Sequence, residues 1–164
     1  LEPLLALKTL VLPFAGRTAE DVGGVNQTLE FMFNRINFVD TKTWKNLETF
    51  GVLSGEIPAS FYDSRENDGG TISWKNLVLG KDVTKVSLRI FDTIYNKKVF
   101  YMGTEADWNN IEFVENENKY VQNSEIRYYY SETNPFADGT VTSGNYWHYG
   151  STKSDYAIWQ VPAA

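Results

Sequence analysis

Apolar residues along this chain gather in short groups between charged or glycine-rich stretches. The clearest group spans residues 74–111, WKNLVLGKDVTKVSLRIFDTIYNKKVFYMGTEADWNNI. It holds two short apolar strands, residues 77–79 and 99–102. They are joined by a segment with its own buried spacing at Val83, Val86, Ile90 and Phe91, and closed by a turn at Gly103. Thr104 followed by Asp107 fits a capping box, in which a hydroxyl and a carboxylate satisfy the orphan amides of a first helical turn, so a short helix is predicted over 105–110.

The unit recurs. TKTWKNL at 41–47 returns as TISWKNL at 71–77, a spacing of 30. Strand-like hexamers begin at Leu7 (LKTLVL), Leu47 (LETFGV), Trp74 (WKNLVL), Asn96 (NKKVFY) and, less well matched, Ser124 (SEIRYY), with starts 40, 27, 22 and 28 residues apart. Leucine-rich repeats run roughly 20 to 29 residues, a strand plus a variable return segment. An all-β domain with irregular strands is the alternative that spacing leaves open. In the repeat reading Leu7, Leu10, Leu12, Leu47, Phe50 and Val52 point inward, and Leu10, Phe50, Leu77 and Val99 form one internal row of parallel strands. Residues 57–61 make a return corner. Lys8, Thr49, Lys75, Asn76, Lys97, Lys98 and Phe100 point outward, a basic strip in an acidic chain.

LKTLVLPFAG, IPASF, DVTKVSLRIF, VFYMGTEADWNNI, IRYYYSETNP and GNYWHYG, in that order, resemble the closing section of BspA-type leucine-rich-repeat proteins of bacterial cell surfaces. The terminal units of that family commonly carry Tyr-x-Gly-Thr-x-x-x-Trp and Tyr-Tyr-Tyr-Ser-Glu. Here these are Tyr101, Gly103, Thr104 and Trp108, and then residues 128–132. The pattern departs at 87–91, where SLRIF replaces the expected Gly and Ala-Phe, and is weakest over 18–40. The resemblance implies a secreted or cell-surface bacterial protein that binds a host or neighbouring-cell protein or a matrix polymer.

Composition narrows the choice. A chain of 164 residues suits one domain that buries roughly 70% of its unfolded surface. Its 42% hydrophobic and 22% charged residues are globular values, and 15% aromatic residues foretell aromatic layers or an aromatic binding surface. A net charge of −6 with 15 dispersed basic residues argues against nucleic acid. The absence of cysteine removes disulfides, thiolate metal sites and thiol nucleophiles. No stretch reaches the ~18 consecutive apolar residues of a membrane span. The opening run LEPLLALKTLVL lacks the basic start of a signal peptide and any polar cap, which suggests a piece of a longer chain. Within residues 17–40, Leu29, Met32, Phe33 and Ile36 lie at helix-like offsets and predict a short segment packed on the stack. Residues 64–70, SRENDGG, read as a solvated loop, since their spacing with Asp63 does not match a calcium loop.

From residue 120 to 159 the character changes, with seven Tyr and two Trp. As a terminal cap these would cover the last repeat, including Tyr128, Tyr129, Tyr130, Trp147 and Trp159. As a carbohydrate-binding surface, Tyr146, Trp147 and Tyr149 would stack on sugar rings. His148, the only histidine, sits between Trp147 and Tyr149 and is better suited to packing in the cap than to general-base work. No triad, P-loop, HExxH or zinc pattern is present, so no catalytic residues, metal or cofactor are expected.

The expectation is therefore a leucine-rich-repeat solenoid, β-rich with about five short parallel strands, irregular return segments and little helix. It forms a single domain over 1–164, with repeats in 1–119 and an aromatic C-terminal cap in 120–164. It is expected to be monomeric and non-catalytic, and to act in recognition or adhesion. A purely structural terminus of a longer array is the further alternative.

Overall fold

Alternating apolar positions build eight strands in the computed structural model, which describes residues 7–15, 47–59, 74–87, 90, 91, 93–114 and 118–162. The strands are β1 (Thr9–Phe14), β2 (Thr49–Ile57), β3 (Asn76–Val86), β4 (Lys98–Tyr101), β5 (Glu112–Phe113), β6 (Arg127–Tyr130), β7 (Tyr146–Tyr149) and β8 (Tyr156–Ile158). A short helix, α1 (Glu105–Trp108), follows β4. The sheet order is β1-β2-β3-β4-β6-β7-β8, with β5 added beside the far end of β3. The predicted opening run before Leu7, the helix-like offsets at Leu29, Met32, Phe33 and Ile36, the first copy of the TxxWKNL repeat up to residue 46, and the loop at 64–70 lie outside the described residues.

Pairing from β1 to β7 is parallel, and the register follows the hexamer alignment. Leu10 faces Phe50, Phe50 faces Leu77, Leu77 faces Val99 and Val99 faces Arg127. These steps reproduce the offsets 40, 27, 22 and 28. A second inner row runs Leu12, Val52, Leu79, Tyr101, Tyr129 and Tyr146. Because strand side chains alternate with period two, both rows point to one face. There they join Val83, Val86, Ile90, Phe91, Trp108, Ile111, Val121 and Ile126 in the main core. Trp74 stacks on Phe50 with ring centroids 4.3 Å apart at the head of this core.

Three expectations are corrected. Among the described residues the strands number eight, and β8 pairs antiparallel with β7, so the sheet is mixed. A repeat pattern cannot foresee this, because a tight turn at residues 150–155 returns the chain on its own neighbour. The short strand expected at 77–79 runs on as β3 through Val86, past two register shifts against β2. At the first shift Gly80 passes so close to β2 that a Cβ there would lie 1.9 Å from the Leu53 carbonyl oxygen, which only glycine permits. Beyond these bulges, the second half of β3 pairs with the end of β2 on one side and with β5 on the other. The Lys85–Glu112 ion pair, 2.9 Å, ties β3 to β5. The third correction is at residue 124, where Ser124–Ile126 forms a 3-10 turn and β6 begins only at Arg127.

The capping box forms as expected. Thr104 Oγ1 accepts from the Asp107 amide at 3.2 Å, and the Asp107 carboxylate accepts from the Thr104 amide at 2.9 Å. The helix stops at Trp108 because that ring turns into the core, edge-on to Tyr101 at 5.3 Å. Between β5 and β6, fully buried Asn118 donates its side-chain amide to the Val86 carbonyl at 3.0 Å.

Candidate functional site

The outward lysines do not form the basic strip that the repeat alignment implies. Lys8, Glu48, Lys75 and Lys97 occupy equivalent positions, so an acid falls between two lysines. Lys75 Nζ lies 3.2 Å from the Glu48 carboxylate. Lys97 turns to the core side, donating to the Trp74 carbonyl and lying 5.3 Å above the Phe91 ring. Its neighbour Lys98 is in β4 proper and exposed, as is Lys8. Asn76 and Thr49 pair with each other at 3.0 Å, and Thr49 is 5% exposed.

Phe100 is also corrected, being 2% exposed. The outer row Val11, Gly51, Val78, Phe100 and Tyr128 is covered at its far end by the β7–β8 hairpin, which curls back over it. Phe100 stacks on Tyr156 at 5.1 Å and meets Trp147 edge-on at 5.6 Å. The driving force is burial of two large aromatic surfaces against an outer row that is itself apolar.

Trp147 has no face to offer a sugar. It is fully buried, and its indole N–H donates to the Tyr101 carbonyl at 2.9 Å, across from the next-to-last inner strand. Tyr149 crosses it at 82°, the opposite of a coplanar platform, and Tyr146 lies apart from both on the other side of the strand. His148 stacks on Trp159 at 3.8 Å, and its Nδ1 lies 2.8 Å from the Tyr149 carbonyl. Trp159 in turn donates to the Ser131 carbonyl at 2.9 Å. These contacts make the hairpin a packed cover for the outer face.

The inner face ends differently. An open cavity of about 760 Å3 lies where the inner rows reach β6 and β7, lined by Arg127, Tyr129, Tyr130, Tyr146, Asn145 and the carboxylates of Glu105 and Glu125. The first turn of α1 brings Glu105, the 3-10 turn running into β6 brings Glu125, Arg127, Tyr129 and Tyr130, and the entry to β7 brings Asn145 and Tyr146. Asn145 binds the rims together, its side-chain amide donating to the Ser124 carbonyl at 3.0 Å and its carbonyl accepting from the Tyr129 amide at 3.0 Å.

Arg127 takes the inward position held by Leu10, Phe50, Leu77 and Val99 in earlier strands. Its guanidinium lies 4.7 Å over the Trp108 ring and 5.4 Å from that of Tyr129, a cation–π sandwich that fixes its plane. Burial pushes the Tyr129 hydroxyl pKa up, partly opposed by this guanidinium. Tyr101, one row earlier, is pushed up to about 12, chiefly by burial and then by Asp107. Of the lining, Thr104 had been singled out from sequence as a helix cap, Tyr129 and Tyr130 as cap aromatics and Tyr146 as a sugar-stacking candidate, whereas Glu105, Glu125, Arg127 and Asn145 had no assigned role. The available signal was Arg127 itself, a charge at an inward position of an otherwise apolar row.

Comparison of the chain with family models, with curated proteins and with solved structures found no match in any of the three. Among the described residues no helix is long and apolar enough to cross a membrane.

Proposed function

We propose that this chain is a non-catalytic recognition module, a leucine-rich-repeat solenoid of the BspA kind that acts in adhesion at a bacterial surface or after secretion. Its partner is a protein of a host or neighbouring cell, or a matrix polymer. The in-register parallel pairing at the repeat offsets supports the solenoid, because repeats of this length stack only by aligning equivalent rows. The observation that carries the function is the cavity at the end of the inner face. Three separate chain segments deliver a stacked guanidinium, two carboxylates and the rings of Tyr129 and Tyr146 to one open volume, within the roughly 300–1,000 Å3 usual for binding sites. In this reading the β7–β8 hairpin is the aromatic cover that ends the stack.

The test is binding of the purified chain to cultured host cells and to immobilised matrix polymers by biolayer interferometry. Saturable binding to at least one of these surfaces is expected. Linear, unsaturable uptake on all of them overturns the reading.

A further inference from the structure

We infer that the cavity between α1, β6 and the start of β7 is a site for a sugar residue bearing a single carboxylate, held edge-on by Arg127. The inference rests on the recognition reading above and names the ligand class for that cavity.

Arg127 is the decisive group. Among the described residues its guanidinium makes one hydrogen bond, from Nη1 to the Gln122 carbonyl at 3.5 Å, and no ion pair, although Glu105 and Glu125 line the same cavity. Its Nε is buried without a partner. Stacking on Trp108 holds the plane of the group, whose Nη1 contact to Gln122 is long and leaves the guanidinium without a carboxylate partner. A planar cation fixed in this way matches a carboxylate through two parallel N–H···O bonds, the geometry that distinguishes arginine from lysine.

The remaining lining selects what the carboxylate is attached to. Glu105 and Glu125 leave the cavity with one positive and two negative side chains, which disfavours sulfated or phosphorylated polymers and admits one negative charge. The same carboxylates accept hydrogen bonds from hydroxyls. The Asn145 Oδ1 makes no hydrogen bond among the described residues, because only its nitrogen is engaged, by Ser124. Tyr146 is partly exposed and supplies a ring face for the C–H face of a pyranose, whereas the Tyr130 ring turns to the outer face against Trp147. A carboxylate, several hydroxyls and one apolar ring face are together the chemistry of an acidic sugar.

The experiment is isothermal titration calorimetry of the whole chain with sialyllactose, lactose, the peptide Gly-Glu-Gly and dextran sulfate. Sialyllactose should bind and the other three should bind at least about tenfold more weakly, the loss expected for one charge-assisted bidentate contact. Arg127→Lys, which keeps the charge, should weaken sialyllactose roughly tenfold with circular dichroism unchanged. Glu125→Gln, which keeps an acceptor oxygen and removes repulsion, should tighten sialyllactose roughly two- to fivefold and leave lactose unaffected, a gain that misfolding cannot mimic. Equal binding of lactose, or of the peptide, overturns the assignment, as does a Glu125→Gln variant with no gain. Saturable adhesion to cells without any uptake of sialyllactose removes the sugar assignment and leaves the recognition reading standing. Sialyllactose binding without adhesion does the reverse.

Discussion

The two faces of the sheet are built from different materials. The inner face begins with Leu10, Leu12, Val52, Leu77 and Leu79 around one Phe50–Trp74 stack, and turns to Tyr101, Tyr129 and Tyr146 as it nears its end. The outer face is covered in its later strands by an aromatic cluster of Phe100, Trp147, Tyr128, Tyr130, Tyr149 and Tyr156. Aliphatic rows interlock with identical rows and so suit a repeating stack. Tyrosine and tryptophan pair an apolar body with a polar tip, and suit places where a stack must meet water. The chain closes one end of its outer face with aromatics and leaves the corresponding end of the inner face open as a cavity.

The contrast is broken most severely from the inner face. Leu77→Asp puts an unpaired charge into a fully buried row between Phe50 and Val99, and should cost more than about 4 kcal/mol, unfolding the whole sheet in one transition. Far-UV circular dichroism in urea measures it. Loss confined to near-UV aromatic signals would mean that the two faces are stabilised independently.

Trp147→Phe probes the outer face. It keeps most of the apolar bulk but leaves the buried Tyr101 carbonyl without its indole donor, and should cost about 2 kcal/mol. The urea midpoint should fall by that amount divided by the m-value, about 1 M, while the sheet stays cooperative.

Alkali sharpens the comparison, because one tyrosine on each face is pushed up to about 12 by burial: Tyr101 inside and Tyr156 outside. In the unfolded chain both ionise near the ordinary tyrosine value of 10.0, so above that pH the unfolded state releases protons that the folded state retains. Their contribution to stability is therefore complete below pH 10 and is lost as pH rises towards 12. Tyrosinate absorbance followed through this range should show ionisation concurrent with unfolding, and Tyr156→Phe should flatten the decline.

The smallest effect belongs to the lysine row. Lys75 and Glu48 form an exposed pair, with side chains 58% and 44% accessible, so Lys75→Ala should change stability by less than about 0.5 kcal/mol. A larger loss in the urea midpoint would show that the ladder of charges along Lys8, Glu48, Lys75 and Lys97 holds the strand ends in register.

What the sequence determined by itself is the stacking. Repetition of an apolar hexamer at defined offsets, with period-two alternation inside each copy, specifies which residues share a row. The observed partners Leu10, Phe50, Leu77, Val99 and Arg127 follow from it, because a one-residue slip would expose every inward side chain. The Thr104–Asp107 capping box was legible for the same reason, since both its hydrogen bonds are made within four residues. Only the tertiary structure decided the fate of the outward positions. Whether Phe100 faces water depends on the β7–β8 hairpin curling over it, and no local spacing encodes that return. Whether Lys97 joins Lys98 on a binding face depends on the Trp74 carbonyl and the Phe91 ring from the preceding turn. The cavity around Arg127 was decided in the same way, by three chain segments that meet where the inner rows run out.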